Sequence, residues 1–461
     1  MKIGILALGR PTFDVDYANA KLIQMLGLLD QSGHTIVGPR ELLFDEKSTK
    51  QAADELHKSG IDQLLILQVT FTDAAMVVYV AQMFDVPLSI WAIPEPRIGG
   101  RLRINSFCGL NLASHALSLN NRTFSWLYAE PLTPALAEIE TLFSGSREIK
   151  FKGPVDSPEH VSTEAKQVVA RLKGKRIGRI GEHPVGFDTC AYSAVDIKKL
   201  AGVEVDALEL SELFEVAKNA TAEDTQAVRS EAENDVGGLE EVDQTELDKS
   251  LRLKVGLDKL RKTGGYDAFA IRCWPETFTE YGGAICGPVA MMGEAKIPCA
   301  CEADVYGALT QMVLQEATGE PVFLTDLVDL DTQDNTGVVW HCGQAPISMR
   351  AMSTEGIATV HTNRKMPLLY EFSLKPGPVT MLRISQSYNT VKMTISYGEI
   401  LDRPMAFTGT SGVIRYERPS EQVLSDILGS GLEHHMALAY GDHRQQLRSV
   451  AAAMNLPILE L

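Results

Sequence analysis

The apolar residues in the first third of the chain form short runs that alternate with amphipathic stretches. Residues 3–8 and 64–69 are almost continuously apolar, which predicts strands buried on both faces of a sheet. Residues 16–29 instead place apolar side chains at helical spacing along one side. The alternation continues to residue 128 and resumes at residue 175. It predicts an α/β fold with two doubly wound parallel sheets.

The pattern changes after residue 320. Thr, Tyr, Val and Phe there alternate with polar residues between Gly-Pro turns, which is typical of antiparallel strands. Together with a polar, non-periodic segment at 145–161, this change predicts three domains. They are an N-terminal α/β domain at 1–160, a central α/β domain at 161–320 that carries the candidate carboxylates, and a β-rich, antiparallel or barrel-like domain at 321–461.

Charge and composition narrow the possible partners and location. The net charge of −17 argues against a general binder of nucleic acid or of anionic membranes. The first residues lack the long apolar segment of a signal peptide, and no run is long enough to span a bilayer, so we expect a cytoplasmic location. The seven cysteines lie in mostly apolar surroundings and are expected to be reduced thiols, with spacings that do not fit a zinc site.

Two predicted strands of the central domain carry carboxylates at their carboxyl ends. Arg272-Cys273-Trp274-Pro275-Glu276 ends the first strand, and Cys301-Glu302-Ala303-Asp304 ends the second. Ligands of open α/β sheets dock at this edge, and adjacent carboxylates repel, share a proton or bind a cation. His341 follows a later strand, and His434 and His435 follow a glycine-marked turn. Two carboxylates with one or two imidazoles favour an octahedral ion such as Mn²⁺ over tetrahedral zinc.

Two loops at strand ends bear on ligand binding. Residues 94–103 gather three arginines, which are either solvated or contact an anion or a sugar. The first strand is followed by Leu8-Gly9-Arg10-Pro11, which breaks the glycine pattern of a dinucleotide site. We therefore expect no nucleotide cofactor.

Three motifs carry a resemblance to a known family. The carboxylate motifs at 272–276 and 301–309, Trp340-His341-Cys342-Gly343, and Glu433-His434-His435 resemble the L-fucose/L-arabinose isomerase family, more closely its fucose-isomerase-like members. The order of two α/β domains and a β-rich domain is similar as well. The resemblance implies an aldose–ketose isomerase that uses Mn²⁺, or another divalent cation such as Co²⁺ or Mg²⁺.

The resemblance also implies roles for individual residues. Glu276 matches the first catalytic carboxylate, although Glu280, one helical turn away, fits the spacing too. Either Glu302 or Asp304 matches the second carboxylate. The resemblance then implies metal ligands at Glu276, Asp304 and His341, together with His435 or, alternatively, His434. One carboxylate acts as base and the other as acid through a cis-enediol or enediolate.

The implied substrate is a free aldose: a pentose, a 6-deoxyhexose or an anionic 6-substituted hexose such as sulfoquinovose. The resemblance further implies a homo-oligomer, a trimer or hexamer, with active sites at the subunit interfaces. Residues that could then contact the sugar are Glu95, Arg97, Arg101, Arg103, Asn105 and Trp274. The arginines favour an anionic sugar, because guanidinium groups bind sulfonate-like and carboxylate groups bidentately.

Three other functional hypotheses remain for the same residues. An aldolase or lyase could use the same metal-stabilised enediolate and differ only in the bond that breaks. A sugar-binding regulator or sensor could use the carboxylates to bind hydroxyl groups without catalysis. The carboxylates could also be coincidental in a structural scaffold.

Overall fold

Three β-sheets carry the fold of residues 1–132 and 135–461, the part of the chain that this computed structural model describes. Two sheets are parallel and covered by helices, and the third is a mixed sheet made mostly of antiparallel pairs. The predicted fold class is confirmed. Each sheet lies within one of the three predicted domain segments, and the domain boundaries themselves stay a prediction.

The first sheet alternates strands and helices. Its strands are Lys2–Leu8 (β1), Thr35–Val37 (β2), Leu42–Leu43 (β3), Gln63–Gln68 (β4), Leu88–Ala92 (β5) and Ser125–Tyr128 (β6). Its helices are Val15–Gln31 (α1), Glu46–Ser59 (α2), Ala75–Met83 (α3), Ser106–Leu119 (α4) and Ala135–Phe143 (α5). The strand order is β2-β1-β4-β5-β6, with β3 beside β1. Leu65 and Leu67 of β4 pack in one core and Leu64 and Ile66 in another, which explains the continuous apolar run.

The second sheet is smaller and has the order β10-β9-β7-β8. Its strands are Arg176–Ile180 (β7), Glu204–Leu208 (β8), Ala268–Ile271 (β9) and Cys299–Ala300 (β10). Its helices are Thr163–Leu172 (α6), Ala194–Ala201 (α7), Leu210–Lys218 (α8), Ala222–Asp235 (α9), Gln244–Gly264 (α10), Cys286–Glu294 (α11) and Val305–Thr318 (α12). All its strand pairs are parallel, so the carboxyl ends of β9 and β10 lie side by side.

The third sheet closes on itself. Its strands are Phe323–Asp331 (β11), Thr336–His341 (β12), Ile357–Thr359 (β13), Leu369–Ser373 (β14), Gly377–Ser385 (β15), Lys392–Ile400 (β16), Thr410–Tyr416 (β17), His435–Tyr440 (β18) and Ile458–Glu460 (β19), with helices Ser420–Ser430 (α13) and Arg444–Ala453 (α14). The order is β13-β14-β17-β12-β11-β18-β15-β16-β19, and β16 also pairs with β17. Strands β17, β12, β11, β18, β15 and β16 therefore form a closed barrel.

The glycine-marked turn before the histidine pair follows α13. Gly431 ends this helix in the left-handed conformation at φ 58°. His435 is the first residue of β18, a strand inside the barrel sheet. The sheet therefore buries both histidines.

The buried helix α4 joins the first sheet to the barrel. Asn111 Nδ2 donates to the carbonyl oxygen of Leu432 at 2.6 Å, and Ser114 Oγ donates to that of Leu428 at 2.8 Å. These bonds fix the segment that leads into the histidine pair. Within the residues described above, none of the helices has both the length and the apolar character needed to cross a membrane.

Candidate active site

Three adjacent barrel strands bring an aspartate and two histidines together. Asp326 of β11 and His435 of β18 are cross-strand partners in an antiparallel pair, so their side chains lie on one face of the sheet. On the other side of β11, His341 ends β12. One ligand atom from each of these three buried residues lies within 4.8 Å of the others. The strand register therefore creates a group that could hold a metal ion.

Glu302 reaches the same place from the end of β10 in the second sheet. Its Oε1 accepts a hydrogen bond from Trp274 Nε1 at 3.0 Å, and its Oε2 lies 2.9 Å from His434 Nε2. The backbone of Glu302 is left-handed, with φ 58°, a conformation that a non-glycine residue rarely adopts and that is common at functional sites. Burial raises its pKa, but His434, His435 and Trp274 outweigh burial and hold the pKa at about 2.

Asp304 holds His435 and does not face the cavity with a free oxygen. Its carboxylate accepts from Arg383 Nη1 at 2.5 Å, from Arg383 Nη2 at 3.1 Å and from the Gly307 amide at 2.7 Å, which caps α12. His435 Nδ1 lies 3.0 Å from Oδ2. Burial raises the pKa of Asp304, but the charge of Arg383 and the contact with His435 bring it well below its usual value.

The tautomer of His435 follows from that contact. Because a carboxylate can only accept, His435 Nδ1 is the donor to Asp304, and the lone pair of the neutral ring is on Nε2. Nε2 lies 3.3 Å from Asp326 Oδ1 and 3.9 Å from Glu302 Oε2. Two carboxylate oxygens thus lie close to the lone pair of His435 Nε2, which carries no proton. This arrangement suits a bound cation, with the carboxylate–histidine contact orienting the ligand.

Asp326 is the least satisfied member of the group. Its Oδ1 has no hydrogen-bond partner although it is buried. Burial, and then the negative charge of Glu302, raises its pKa well above the usual value. An unpaired buried carboxylate is costly, and a cation beside it would remove that cost. The residues therefore fit a divalent metal ion: two carboxylates and one imidazole are the donor set of Mn²⁺ and related ions.

The two remaining histidines flank this group. The Cys342 amide donates to His341 Nδ1 at 2.9 Å, which leaves the proton of the neutral ring on Nε2. His341 Nε2 has no partner and belongs to a side chain that lines the cavity, so it can donate to a ligand oxygen. His434 contacts Glu302 through Nε2, and its buried Nδ1 has no partner.

Glu276 and Glu280 lie outside this group. The Glu276 carboxylate accepts a hydrogen bond from Arg272 Nε at 2.6 Å and is not part of the cavity lining. Glu280 is exposed. The structure thus brings Glu302, His341, His434 and His435 together, sets Asp304 behind His435, and leaves the two glutamates of the first motif aside. A parallel strand pair places strand ends together, but the side chains beyond them turn in different directions.

The residues predicted to contact the sugar are also divided. Trp274 and Asn105 line the cavity. Arg97 is bound to Asp329 at 2.5 Å, Arg103 to Asp14 at 2.9 Å, and Arg101 Nη2 donates to Asn363 Oδ1 at 3.1 Å. The buried carboxylate of Glu95 accepts from the backbone amides of Arg103, Ile104 and Asn105. Glu95 therefore shapes the loop that presents Asn105 and does not itself line the cavity.

The cavity residues that the sequence interpretation missed include Asp326, Arg10 and Arg364. Arg10 directly follows β1 and Gly9, a strand-end position that could have been recognised as a ligand site. Asp326 carries a weaker signal, because Asp329 and Asp331 lie in the same strand. Arg364 lies in an irregular loop and carries no signal in the sequence. Arg10, in the loop after β1, and Asn105, just before α4, come from the first α/β unit, which thus contributes to the cavity within one chain.

Two cysteines beside the site form a disulfide, so the prediction of reduced thiols is wrong for this pair. Cys273 and Cys301 follow the neighbouring parallel strands β9 and β10, and their Cα atoms are 5.8 Å apart, within the range of a disulfide. Both line the cavity next to Trp274 and Glu302. The other five cysteines are free and buried.

The chain is similar in sequence to known sugar isomerases. The sequence profile of the fucose/sulfoquinovose isomerase N-terminal domain matches residues 4–144, and that of the L-fucose isomerase C-terminal domain matches residues 339–461. A sulfoquinovose isomerase of Priestia aryabhattai is 30% identical over 97% of this chain and 96% of its own length. That of Clostridium sp. (strain MSTE9) is 31% identical over 99% of this chain and 98% of its own. The sulfoquinovose isomerase of Alkalicoccus urumqiensis is 29% identical, with the same coverage.

The chain therefore belongs to the fucose/sulfoquinovose isomerase family. It is an enzyme, a sugar isomerase that interconverts an aldose and a ketose. The resemblance seen in the sequence motifs is confirmed.

Proposed function

We propose that this enzyme is a divalent-metal-dependent isomerase of an anionic 6-substituted hexose such as sulfoquinovose. The observation that carries the metal dependence is the position of two carboxylate oxygens near the unprotonated Nε2 of His435: Asp326 Oδ1 lies at 3.3 Å and Glu302 Oε2 at 3.9 Å. The substrate class is supported by relatives of similar length, which are named sulfoquinovose isomerases. The ion is proposed to be Mn²⁺, with Co²⁺ or Mg²⁺ as alternatives.

Glu302, Asp326 and His435 would hold the metal. When bound, the ion supplies Lewis acidity that lowers the pKa of the hydroxyl and C–H groups next to the sugar carbonyl. Asp304 keeps His435 in the tautomer with a free Nε2, because Arg383 keeps the Asp304 carboxylate ionised. Trp274 and His434 fix the Glu302 carboxylate by one hydrogen bond to each oxygen.

The isomerisation moves one proton from C2 to C1 and one from O2 to O1. We assign removal of the C2 proton to Glu302, because its carboxylate is held ionised and oriented. We assign the second carboxylate role, proton transfer at the oxygen side, to Asp326. His341 Nε2 would donate a hydrogen bond to a sugar oxygen. Glu276 has no role in this proposal because Arg272 binds its carboxylate outside the cavity.

The test combines metal loading with a panel of sugars in D₂O. The metal-free protein is loaded with Mn²⁺ and incubated with sulfoquinovose, L-fucose, L-arabinose and D-glucose. We expect conversion of sulfoquinovose to its ketose, with deuterium entering at C1 or C2 in the NMR spectrum and no three-carbon fragments. Fragments would show an aldolase. Absence of exchange for every sugar, together with no bound divalent ion by elemental analysis, would disprove the proposal.

A matched pair of variants separates the two candidate glutamates. Glu302→Gln should lower kcat by about 10³-fold, the usual worth of a positioned acid–base group. Glu276→Gln should retain turnover, because the change removes a carboxylate that lies outside the cavity. The reverse result would return the catalytic role to Glu276. The trimer or hexamer expected from the family stays a prediction, to be measured by light scattering.

A further inference from the structure

Two guanidinium groups line the cavity beside Trp274. Arg10 Cζ lies 5.6 Å from the centroid of the Trp274 ring, and Arg364 Cζ lies 5.9 Å from it. The same indole donates through Nε1 to Glu302. Trp274 therefore connects the carboxylate end of the cavity with a cationic end, and all four side chains line the same space.

The cationic end carries more positive than negative charge. Arg10 is paired with Asp73, which also accepts from the Ala75 amide and so holds the guanidinium in place. Arg364 makes no ion pair with any carboxylate in residues 1–132 or 135–461. Burial, and then the charge of Arg10, lowers the pKa of Arg364 below its usual value. Two neighbouring guanidinium groups with one carboxylate leave a charge that an anion would balance.

The loop that carries Arg364 is held in place from the first sheet. Arg101 Nη2 donates to Asn363 Oδ1 at 3.1 Å, and the Arg364 amide donates to His361 Nδ1 at 3.2 Å. Arg101 thus positions the loop. By contrast, Arg97 and Arg103 already have carboxylate partners. Of the arginines discussed, Arg364 is the one that faces the cavity with its charge uncompensated.

We propose that Arg10 and Arg364 form the subsite that binds the anionic group on C6 of the sugar and thereby selects the substrate class. This inference rests on the proposed function, in which C1 and C2 of the sugar lie at Glu302. The planar guanidinium fork matches the oxygens of a sulfonate, a carboxylate or a phosphate, and it stays charged at neutral pH. The face of Trp274 packs against the sugar carbons between the two ends.

The test measures binding without turnover and compares sugars that differ only at C6. The metal-free protein, in which the proposed isomerisation cannot proceed, is titrated calorimetrically with sulfoquinovose, D-glucuronate, glucose 6-phosphate and 6-deoxyglucose. We expect sulfoquinovose to bind at least about 100-fold more tightly than 6-deoxyglucose, since it adds two charge-assisted contacts. The glucuronate and phosphate arms show whether a carboxylate or a phosphate is the better fit.

Arg364→Gln in the same metal-free form should bring the ratio of the Kd values for 6-deoxyglucose and sulfoquinovose close to one. Arg364→Lys should restore part of the preference for sulfoquinovose, because lysine keeps the positive charge but lacks the planar guanidinium group. Lys365→Gln is the matched control: it removes a positive charge from the neighbouring, exposed residue and should leave the ratio unchanged. Circular dichroism checks the fold of each variant.

The outcomes separate this inference from the proposed function. Preferential, Arg364-dependent binding of sulfoquinovose by a protein that does not isomerise it would support the subsite and disprove the activity. The subsite would be disproved, and the proposed activity retained, if the protein isomerised sulfoquinovose but Arg364→Gln had the same ratio of Kd values for 6-deoxyglucose and sulfoquinovose as the parent. An equal affinity of the parent for sulfoquinovose and 6-deoxyglucose would likewise disprove the subsite.

Discussion

Asp304 and Asp326 contact opposite nitrogens of the same imidazole, that of His435, and both are buried. Their surroundings nevertheless differ. The Asp304 oxygens accept from Arg383 and the Gly307 amide, and their pKa is lowered. Oδ1 of Asp326 has no hydrogen-bond partner, and the pKa of Asp326 is raised by burial and then by Glu302. Burial alone therefore does not distinguish a carboxylate that supports the fold from one that is available to a ligand.

The difference lies in the partners that the fold supplies. Asp304 precedes α12 and meets a fully buried arginine from β15, so its charge is compensated within the protein. Asp326 faces Glu302 and a lone pair of His435, so its charge needs a partner from outside. We infer that the first aspartate holds the site in shape and that the second takes part in it. Variants of both aspartates, each with a matched control, test this distinction, and a third buried carboxylate extends it.

The largest effect is expected for Asp326→Asn. It should lower kcat by about 10³-fold, because one of the two acid–base carboxylates is lost. In metal-free protein the unfolding free energy should stay equal or rise, since the variant removes an unpaired buried charge. Turnover with Mn²⁺ and urea unfolding followed by circular dichroism measure the two quantities.

The control for that variant lies on the same strand. Asp329→Asn removes a buried carboxylate that is paired with Arg97 and bonded to the Tyr128 hydroxyl. It should lower stability while the folded protein keeps its turnover, because neither partner reaches the metal-binding group. An active Asp326→Asn enzyme would remove the distinction between the two aspartates.

A smaller effect, on stability, is expected for Asp304→Asn. The variant should lower the unfolding free energy by about 3 kcal/mol, because Arg383 is fully buried and loses its closest charged partner. Urea unfolding of the metal-free protein measures the change. Asp442→Asn at the exposed pair with Arg444 should change it by less than about 1 kcal/mol. If the two variants were equally stable, Asp304 would not have the structural role inferred here.

The last effect depends on pH and concerns Glu95, a third buried carboxylate. It accepts hydrogen bonds from three backbone amides, yet its pKa is raised to about 7, mainly by burial. Because this pKa is higher in the folded protein, the associated stability is complete below about pH 4.5 and is lost as the pH rises through about 7. The unfolding free energy of the wild type minus that of Glu95→Gln should therefore fall by about 3 kcal/mol over that range. A difference independent of pH would contradict the raised pKa.

Much of the fold could be predicted from local patterns. The continuous apolar runs of β1 and β4 and the helical spacing of α1 are encoded by residues close in sequence, and the structure has them where they were expected. The segment before His434 could not be predicted in this way. Its two short elements, α13 and β18, are separated only by the turn at Gly431, and each is stabilised by packing against distant parts of the chain.

The candidate site was predictable in part for the same reason. Glu302 and the histidine pair carry a signal because they follow strand ends or stand together in the sequence. Asp326 does not, because Asp329 in the same strand looks equivalent until the neighbouring strands are known. Arg364 can be identified as a site residue only from the structure, in which it lies beside the Trp274 ring and has no carboxylate partner among the described residues.

The sequence by itself determined the α/β and β-rich segments and the carboxylates at the ends of β9 and β10, since periodicity and strand-end position depend on near neighbours. Only the tertiary structure decided that the charge of Asp304 is compensated by Arg383 and that Asp326 has no such partner. That choice depends on the register of β11 against β18, which sets Asp326 opposite His435, and on the burial of Arg383 beside Asp304. Register and burial arise from long-range packing, and no local pattern encodes them.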